Sequence, residues 1–289
     1  MTALADIQNF KITKLTEHVG AEVTGIDLRA PLDPKTLQVL NDAIVDNVAL
    51  VFRGQQLTPA ELLKAVSQFG ELMPDQNQRY VVEGLPLVSV LSNRHKDSTG
   101  KQAKIAKNAN WHTDHTNHEC PPKCTVLYAV ELPKEGGDTG ILNTRAGYDS
   151  LPGDYKQKLD GLKTINVFQG RAALRESTKQ VTERDAKKYS EAMVQPLIRT
   201  HPETGKKAVY FHTVKVDTIE GMEPDETRVL LEDVLGRINK PEFIYRHKWR
   251  LGDMLIWDNR SAMHQAYYDY DTSQPRTLMR IILEGDKPF

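Results

Sequence analysis

His112-Thr113-Asp114 sets an imidazole and a carboxylate two residues apart. In an extended segment residues i and i+2 point to one face, so the pair would project side by side into a sheet interior. A second imidazole from a neighbouring strand would complete a two-His, one-carboxylate facial triad, the donor set that binds Fe(II) and leaves three coordination positions open. His264 is the natural candidate. It follows the apolar run Met254 to Trp257 and the turn Asp258-Asn259-Arg260, where Ser261 to Ala266 resumes an extended pattern. On its own the tripeptide also fits a surface loop or a satisfied core histidine. Arg276 and Arg280 give it company: four apart, they share a face of the strand that Leu278 to Leu283 suggests. Two guanidiniums aimed into one cavity are costly unless anions meet them, and the donor fork of arginine matches the two oxygens of a carboxylate.

The elements that must position these groups are short strands with a few capped helices. Phe10 to Thr13 and Ala21 to Ile26 alternate as half-buried strands do. Asp33-Pro34 opens a helix with Leu37, Leu40 and Ile44 on one face, and Thr58-Pro59-Ala60-Glu61 is a capping box that starts a second. A third helix is expected over Pro224 to Ile238. Val48 to Phe52, Val88 to Leu91, Thr125 to Val130, Val209 to Phe211, Phe243 to Tyr245 and Met254 to Trp257 read as strands, with Gly136-Gly137 as a turn. Many short strands with few helices predict a mainly β sandwich or jelly roll with helices packed outside. No linker, repeat or low-complexity tract divides the chain, so residues 1–289 read as one domain, with a charged lid or insertion at about 166–195.

Composition narrows the partners. With 38 Lys+Arg against 39 Asp+Glu, the 289-residue chain carries a net charge of −1, and no basic stripe stands out to hold a nucleic acid. Apolar runs are strand-sized, far below the roughly 18–20 residues of a membrane-spanning helix, and no signal core opens the chain. A cytoplasmic protein with free thiols at Cys120 and Cys124 is expected. His115, His118, Cys120 and Cys124 do not match zinc-knuckle spacing. His201, His212 and His247 have no motif around them and read as structural; Trp111 and Trp257 read as walls supporting the ligands.

Taken together, the segments are similar to one family. Gly20 to Leu28, Phe69-Gly70-Glu71-Leu72, Asn110-Trp111-His112-Thr113-Asp114, Glu131-Leu132-Pro133 with Gly136-Gly137-Asp138-Thr139, Arg199-Thr200-His201-Pro202, Trp257-Asp258-Asn259-Arg260 and Gly285 to Phe289 occur in the order seen in the TauD/TfdA (taurine dioxygenase) family. The resemblance implies a double-stranded β-helix of the clavaminate synthase-like, jelly-roll type, and a dioxygenase that uses Fe(II), 2-oxoglutarate and O2. It implies His112, Asp114 and His264 as iron ligands and Thr139 and Arg276 as contacts to the far (C5) carboxylate of 2-oxoglutarate. It also implies Arg280 and Asn108 as substrate contacts and, by analogy, a homo-oligomer, dimer or tetramer. The reaction would couple decarboxylation of 2-oxoglutarate to succinate and CO2 with oxidation of a substrate C–H bond.

The resemblance to taurine-oxidising members weakens at the substrate end. Asn117 stands where they carry an aromatic, His115 replaces a small aliphatic, Lys215 and Ala172 align with two further aromatics, and the loop Met73 to Tyr80 lacks their histidine. Polar groups at these positions would need a ligand with several acceptors, so the expected substrate is a small anion larger or more polar than taurine. Taurine or an alkylsulfonate is the alternative within the class, and a non-catalytic jelly-roll protein that binds a metal or an anion is the alternative outside it.

Overall fold

The computed structural model describes residues 10–76, 78–96, 111–174 and 191–289. Its frame follows from three strands whose two faces are both buried. In Ala49–Phe52, Cys124–Glu131 and Met254–Asp258, one set of alternate residues (Leu50, Phe52, Val126, Tyr128, Met254, Ile256) packs against Leu40, Ile44, Leu62 and Val66 of two helices. The other set (Ala49, Val51, Leu127, Ala129, Leu255, Trp257) meets Ile141 and Ala262 of a second sheet. Burial on both faces explains why these strands read as continuous apolar runs and not as alternating ones.

The larger sheet, nine strands among the described residues, runs in the order Lys11–Lys14, Ala21–Thr24, Ala49–Phe52, Met254–Asp258, Cys124–Glu131, Thr277–Leu283, Leu85–Ser92 and Val81–Val82, with Leu72–Met73 also on Thr277–Leu283. Opposite it lies Ile244–His247, Thr139–Asn143 and Ala262–Ala266, all antiparallel. His112 pairs with His264 at the free edge of this smaller sheet and with His212 on its other side, which extends the layer by two short steps. Strands distant in sequence are thus adjacent in space, the arrangement of a jelly roll.

The helices form where their caps predict. Asp33 accepts hydrogen bonds from the N–H groups of Lys35 and Thr36 ahead of Pro34–Asn47. Thr58 and Glu61 exchange a full capping box ahead of Pro59–Ser67, and Pro224 opens Pro224–Ile238. Two expectations change. The strand expected at Val209 to Phe211 is Lys207–Val209; Tyr210 N–H still donates to Leu197 O, at 2.8 Å, and His212 beyond Phe211 pairs with His112 instead. Phe243, expected to begin a strand, instead ends the short 3-10 turn Pro241–Phe243, and the strand is Ile244–His247; on the first helix Leu37 packs, partly buried, against the core beside Leu40 and Ile44, as its spacing predicts. Of the segment expected as a lid, 175–190 lies outside the described residues; its flanks include the paired strands Lys163–Asn166 and Met193–Pro196.

Candidate metal centre and active site

His112 and His264 face each other across a hydrogen-bonded antiparallel pair: each N–H donates to the other's carbonyl, at 3.0 and 2.9 Å. Directly opposed residues on one ladder project to the same side, which brings the two rings to 4.1 Å between centroids. Asp114 reaches them differently from the expectation. Only His112 lies in the ladder, and Asp114 opens a turn over 114–117. In that turn His115 takes the left-handed region, φ 50°, at a cost of about 1–2 kcal/mol for a side-chain-bearing residue. The turn carries His115, Thr116 and Asn117 inward, where all three are buried.

Asp114 Oδ1 lies 3.8 Å from His112 Nε2 and 3.9 Å from His264 Nε2. One ligand atom from each residue falls within 4.8 Å of the others, and no other group of this kind occurs among the described residues. These separations are too long for hydrogen bonds between the three side chains, and three lone-pair donors converge on one point, a geometry that a cation between them explains. Protonation agrees. Burial, reinforced by His112, pushes His264 down to about 3, which leaves its imidazole neutral. Burial alone would raise Asp114, yet His264 and Arg280 outweigh it and hold the carboxyl well below the usual range. A neutral imidazole and an ionised carboxylate are the forms that bind a metal. His112 keeps 27% of its side chain accessible against 5% for Asp114, so the cluster opens on the His112 side.

Behind the cluster runs a buried chain of hydrogen bonds. Trp257 Nε1–H donates to Asn259 Oδ1 at 3.0 Å, Asn259 Nδ2 to Thr125 Oγ1 at 2.9 Å, and Thr125 Oγ1 to Asp114 Oδ2 at 2.7 Å. The last bond occupies Oδ2 and leaves Oδ1 facing the imidazoles. The Trp257 ring also packs 4.5 Å from that of His264, in keeping with its expected role as a wall. Three motif segments that supply no ligand, at 199–202, 257–260 and 285–289, meet next to this chain. His201 bonds Asp258 at 2.9 Å, Arg260 grips both Asp258 oxygens, Arg199 donates to Asp286 at 2.8 Å, and Thr200 N–H donates to Phe289 O at 2.7 Å. His247, 3.2 Å from Asp253, is likewise in a buried structural cluster.

Arg276 packs against Gly137, two residues before Thr139. Arg276 Nε donates to Gly137 O at 2.7 Å, and a Cβ on Gly137 would stand 3.0 Å from Arg276 Cδ and Nε at φ 71°, so only glycine lets the guanidinium lie there. Burial pushes the arginine below its ordinary value, and among the described residues no carboxylate makes an ion pair with it. A buried cation lacking such a partner fits the far carboxylate of a dicarboxylate. Thr139 Oγ1 accepts from Trp249 Nε1–H at 3.1 Å, a partner that nothing in the spacing of the sequence discloses.

The substrate-end residues gather around a loop. Arg280 does not meet an empty cavity: its Nη2 forms a tight ion pair with buried Asp75, which also lies 3.7 Å from His115 Nε2. Gln76 donates to Asn117 Oδ1 at 3.0 Å and accepts from Lys215 Nζ at 3.3 Å. Lys215 lies 4.8 Å above the Phe168 ring. Among the described residues, Arg280 Nε, Asn117 Nδ2 and His115 Nδ1 are buried without a hydrogen-bond partner. His212, read from sequence as structural, stacks beside His112 at 4.9 Å, with its Nδ1 accepting from Val214 N–H. Asn108 lies outside the described residues. Cys120 is exposed, Cys124 is buried, and both are free thiols.

The family model for "Taurine catabolism dioxygenase TauD, TfdA family" matches residues 11–282. An alkylsulfatase from Acinetobacter baylyi is 32% identical over 286 residues, 96% of this chain and 86% of that one. An alpha-ketoglutarate-dependent 2,4-dichlorophenoxyacetate dioxygenase from a Burkholderia species is 30% identical over 274 residues, 91% of each chain. Among solved structures, AAD-2 in complex with Mn(II) and N-oxalylglycine superposes with a TM-score of 0.80 at 30% identity, covering 96% of this chain and 98% of the other.

Proposed function

The chain belongs to the TauD, TfdA family of dioxygenases, and on that premise we propose that it oxidises a small organic anion larger or more polar than taurine. It is an Fe(II)- and 2-oxoglutarate-dependent dioxygenase of the jelly-roll class. In this reading His112, Asp114 and His264 hold the iron, and Arg276 with Thr139 takes the far carboxylate of 2-oxoglutarate. When bound, iron and 2-oxoglutarate supply, with O2, the oxidising equivalents for a substrate C–H bond, and 2-oxoglutarate leaves as succinate and CO2.

The protein's own part is placement. Thr125 fixes the Asp114 carboxylate so that one oxygen faces the imidazoles. Trp249 donates to Thr139, which leaves the threonine's own O–H proton for a bound carboxylate. The observation that carries the reading is the convergence of the His112, Asp114 and His264 donors, with Arg276 buried against Gly137 and without a carboxylate ion pair among the described residues. For the substrate, support comes from Arg280 Nε and Asn117 Nδ2, buried donors that each cost about 1–3 kcal/mol if left unmet. A ligand with several acceptors relieves that cost. Phe168 packed over Lys215 supports the segment at about 166–195 as a lid on this pocket.

Among the described residues no helix is long and apolar enough to cross a membrane. We place the enzyme in the cytoplasm as a dimer or tetramer, an assembly that light scattering after gel filtration reads directly. The activity is tested by screening sulfonates, sulfate esters, aryloxyalkanoates and amino-acid derivatives for succinate release with Fe(II) and 2-oxoglutarate. Release stimulated by an anion bulkier or more polar than taurine is expected. Stimulation by taurine alone would return the pocket to the simpler reading.

A further inference from the structure

We propose that Asp269 and Arg246, two half-exposed residues that touch neither metal nor co-substrate, are positioning residues for 2-oxoglutarate binding: they clamp the turn whose carbonyl aims Arg276. The inference rests on the reading of Arg276 as the contact to the far carboxylate of 2-oxoglutarate. The turn is Gly136-Gly137-Asp138, with φ 73° and 71° at its two glycines. Gly137 is gripped from both sides. Its carbonyl accepts from Arg276 Nε at 2.7 Å, and its N–H donates to Asp269 Oδ1 at 3.2 Å. A Cβ on Gly136 would stand 2.5 Å from the Asp269 carbonyl oxygen, so only glycine lets Asp269 come this close.

Arg246 closes the clamp. It stands on the Ile244–His247 strand opposite Gly140, in the sheet that also carries Thr139 and His264. Its Nη2 forms a tight ion pair with Asp269 Oδ2, and its Nε donates to Asp138 Oδ2 at 2.6 Å, so one guanidinium ties Asp269 to the turn. The same guanidinium lies 4.0 Å from the centre of the Tyr267 ring, and Tyr267 N–H donates to Asp138 O at 2.9 Å. Arg246 and Asp269 keep 38% and 47% of their side chains accessible, and a pair so exposed adds little to stability. Its effect is on orientation. Two consecutive glycines have many backbone conformations open to them, and a planar guanidinium pairs both oxygens of a carboxylate only in one orientation. Arg276 uses Nε on Gly137, which leaves its two terminal nitrogens for the carboxylate, so a turn free to rotate would carry the fork out of line.

The test is isothermal titration of the Mn(II)-loaded enzyme with 2-oxoglutarate and with pyruvate, a 2-oxo acid that lacks the far carboxylate. Asp269→Ala removes both contacts of the carboxylate, and Arg246→Gln breaks both ion pairs. Each should weaken 2-oxoglutarate by about 2- to 10-fold, the worth of one hydrogen bond, and leave pyruvate and Mn(II) affinity unchanged. Asp269→Asn, which keeps an acceptor for Gly137 N–H, should recover part of the loss. The double variant should lose little more than the worse of the two single ones, because both act through one turn. Unchanged affinity for 2-oxoglutarate in Asp269→Ala, or a loss that pyruvate shares equally, overturns the inference, since the second result marks general damage to the fold. The premise is read separately in the wild-type enzyme: if it binds the two acids equally well, Arg276 does not hold the far carboxylate and the inference falls with that reading.

Discussion

Replacing Thr125 with valine removes one hydroxyl and keeps the shape of the side chain, so its effect isolates the hydrogen-bond chain behind the metal cluster. The hydroxyl donates to Asp114 Oδ2 at 2.7 Å and accepts from Asn259 Nδ2 at 2.9 Å, and all three residues are buried. Loss of a bond to an ionised carboxylate costs about 1.5–3 kcal/mol, and an orphaned amide donor adds about 1–3 kcal/mol. Part of this falls on folding. The rest falls on the metal, because Asp114 is then free to rotate away from the imidazoles, and changes at residues that orient ligands weaken metal affinity by about 10- to 100-fold. Mn(II), titrated against the enzyme with 2-oxoglutarate present and free ion read by electron paramagnetic resonance, gives that number without turnover. Thr125→Val should bind Mn(II) about 10- to 100-fold more weakly, while Thr125→Ser, which keeps the hydroxyl, should remain close to wild type. A folded Thr125→Val protein with unchanged Mn(II) affinity refutes the idea that this chain holds the carboxylate in place.

Two further outcomes follow from the same geometry. Trp249→Phe deletes the donor to Thr139 and should weaken 2-oxoglutarate binding by about 2- to 10-fold, the worth of one hydrogen bond, with Mn(II) affinity unchanged; isothermal titration of each ligand separates the two. Asp258 is buried, which by itself raises a carboxyl, but His201 and Arg260 dominate and hold it well below its ordinary 3.8. A carboxyl depressed in the folded state stabilises fully above its unfolded value, and that contribution is lost as pH falls below about 4 toward the folded value. Melting temperatures across pH 7 down to about 3 should therefore fall steeply in the wild-type protein. Asp258→Asn should melt lower at neutral pH and show a shallower acid limb; parallel limbs in the two proteins would remove Asp258 from the acid transition.

What could be read along the chain was what local chemistry decides. The Asp33 and Thr58 caps, the proline at position 224 and the doubly buried runs at 49–52 and 254–258 declare themselves within a few residues. The three cluster residues were legible as a spacing and a motif, although the turn at Asp114 and the left-handed His115 were not, since nothing in His-Thr-Asp-His requires a reversal. The rest depends on closure of the jelly roll. Asp75 meets Arg280 across 205 positions, Trp249 meets Thr139 across 110, and His212 reaches His112 only because a sheet edge brings them together. Two arginines expected to point into one cavity for two external anions turned out to differ: among the described residues Arg276 makes no ion pair with a carboxylate, while Arg280 is provided with one by the protein.

The central claim is that His112, Asp114 and His264 form an iron site at which 2-oxoglutarate binds beside Arg276. Visible absorption of the anaerobic enzyme tests it most directly, because iron chelated by a 2-oxo acid gives a weak band that neither component shows alone. The account predicts a band that needs both Fe(II) and 2-oxoglutarate, that disappears in His112→Ala and Asp114→Ala, and that requires more 2-oxoglutarate to develop in Arg276→Ala. A wild-type enzyme without the band, or a band of undiminished strength in His112→Ala, would contradict it.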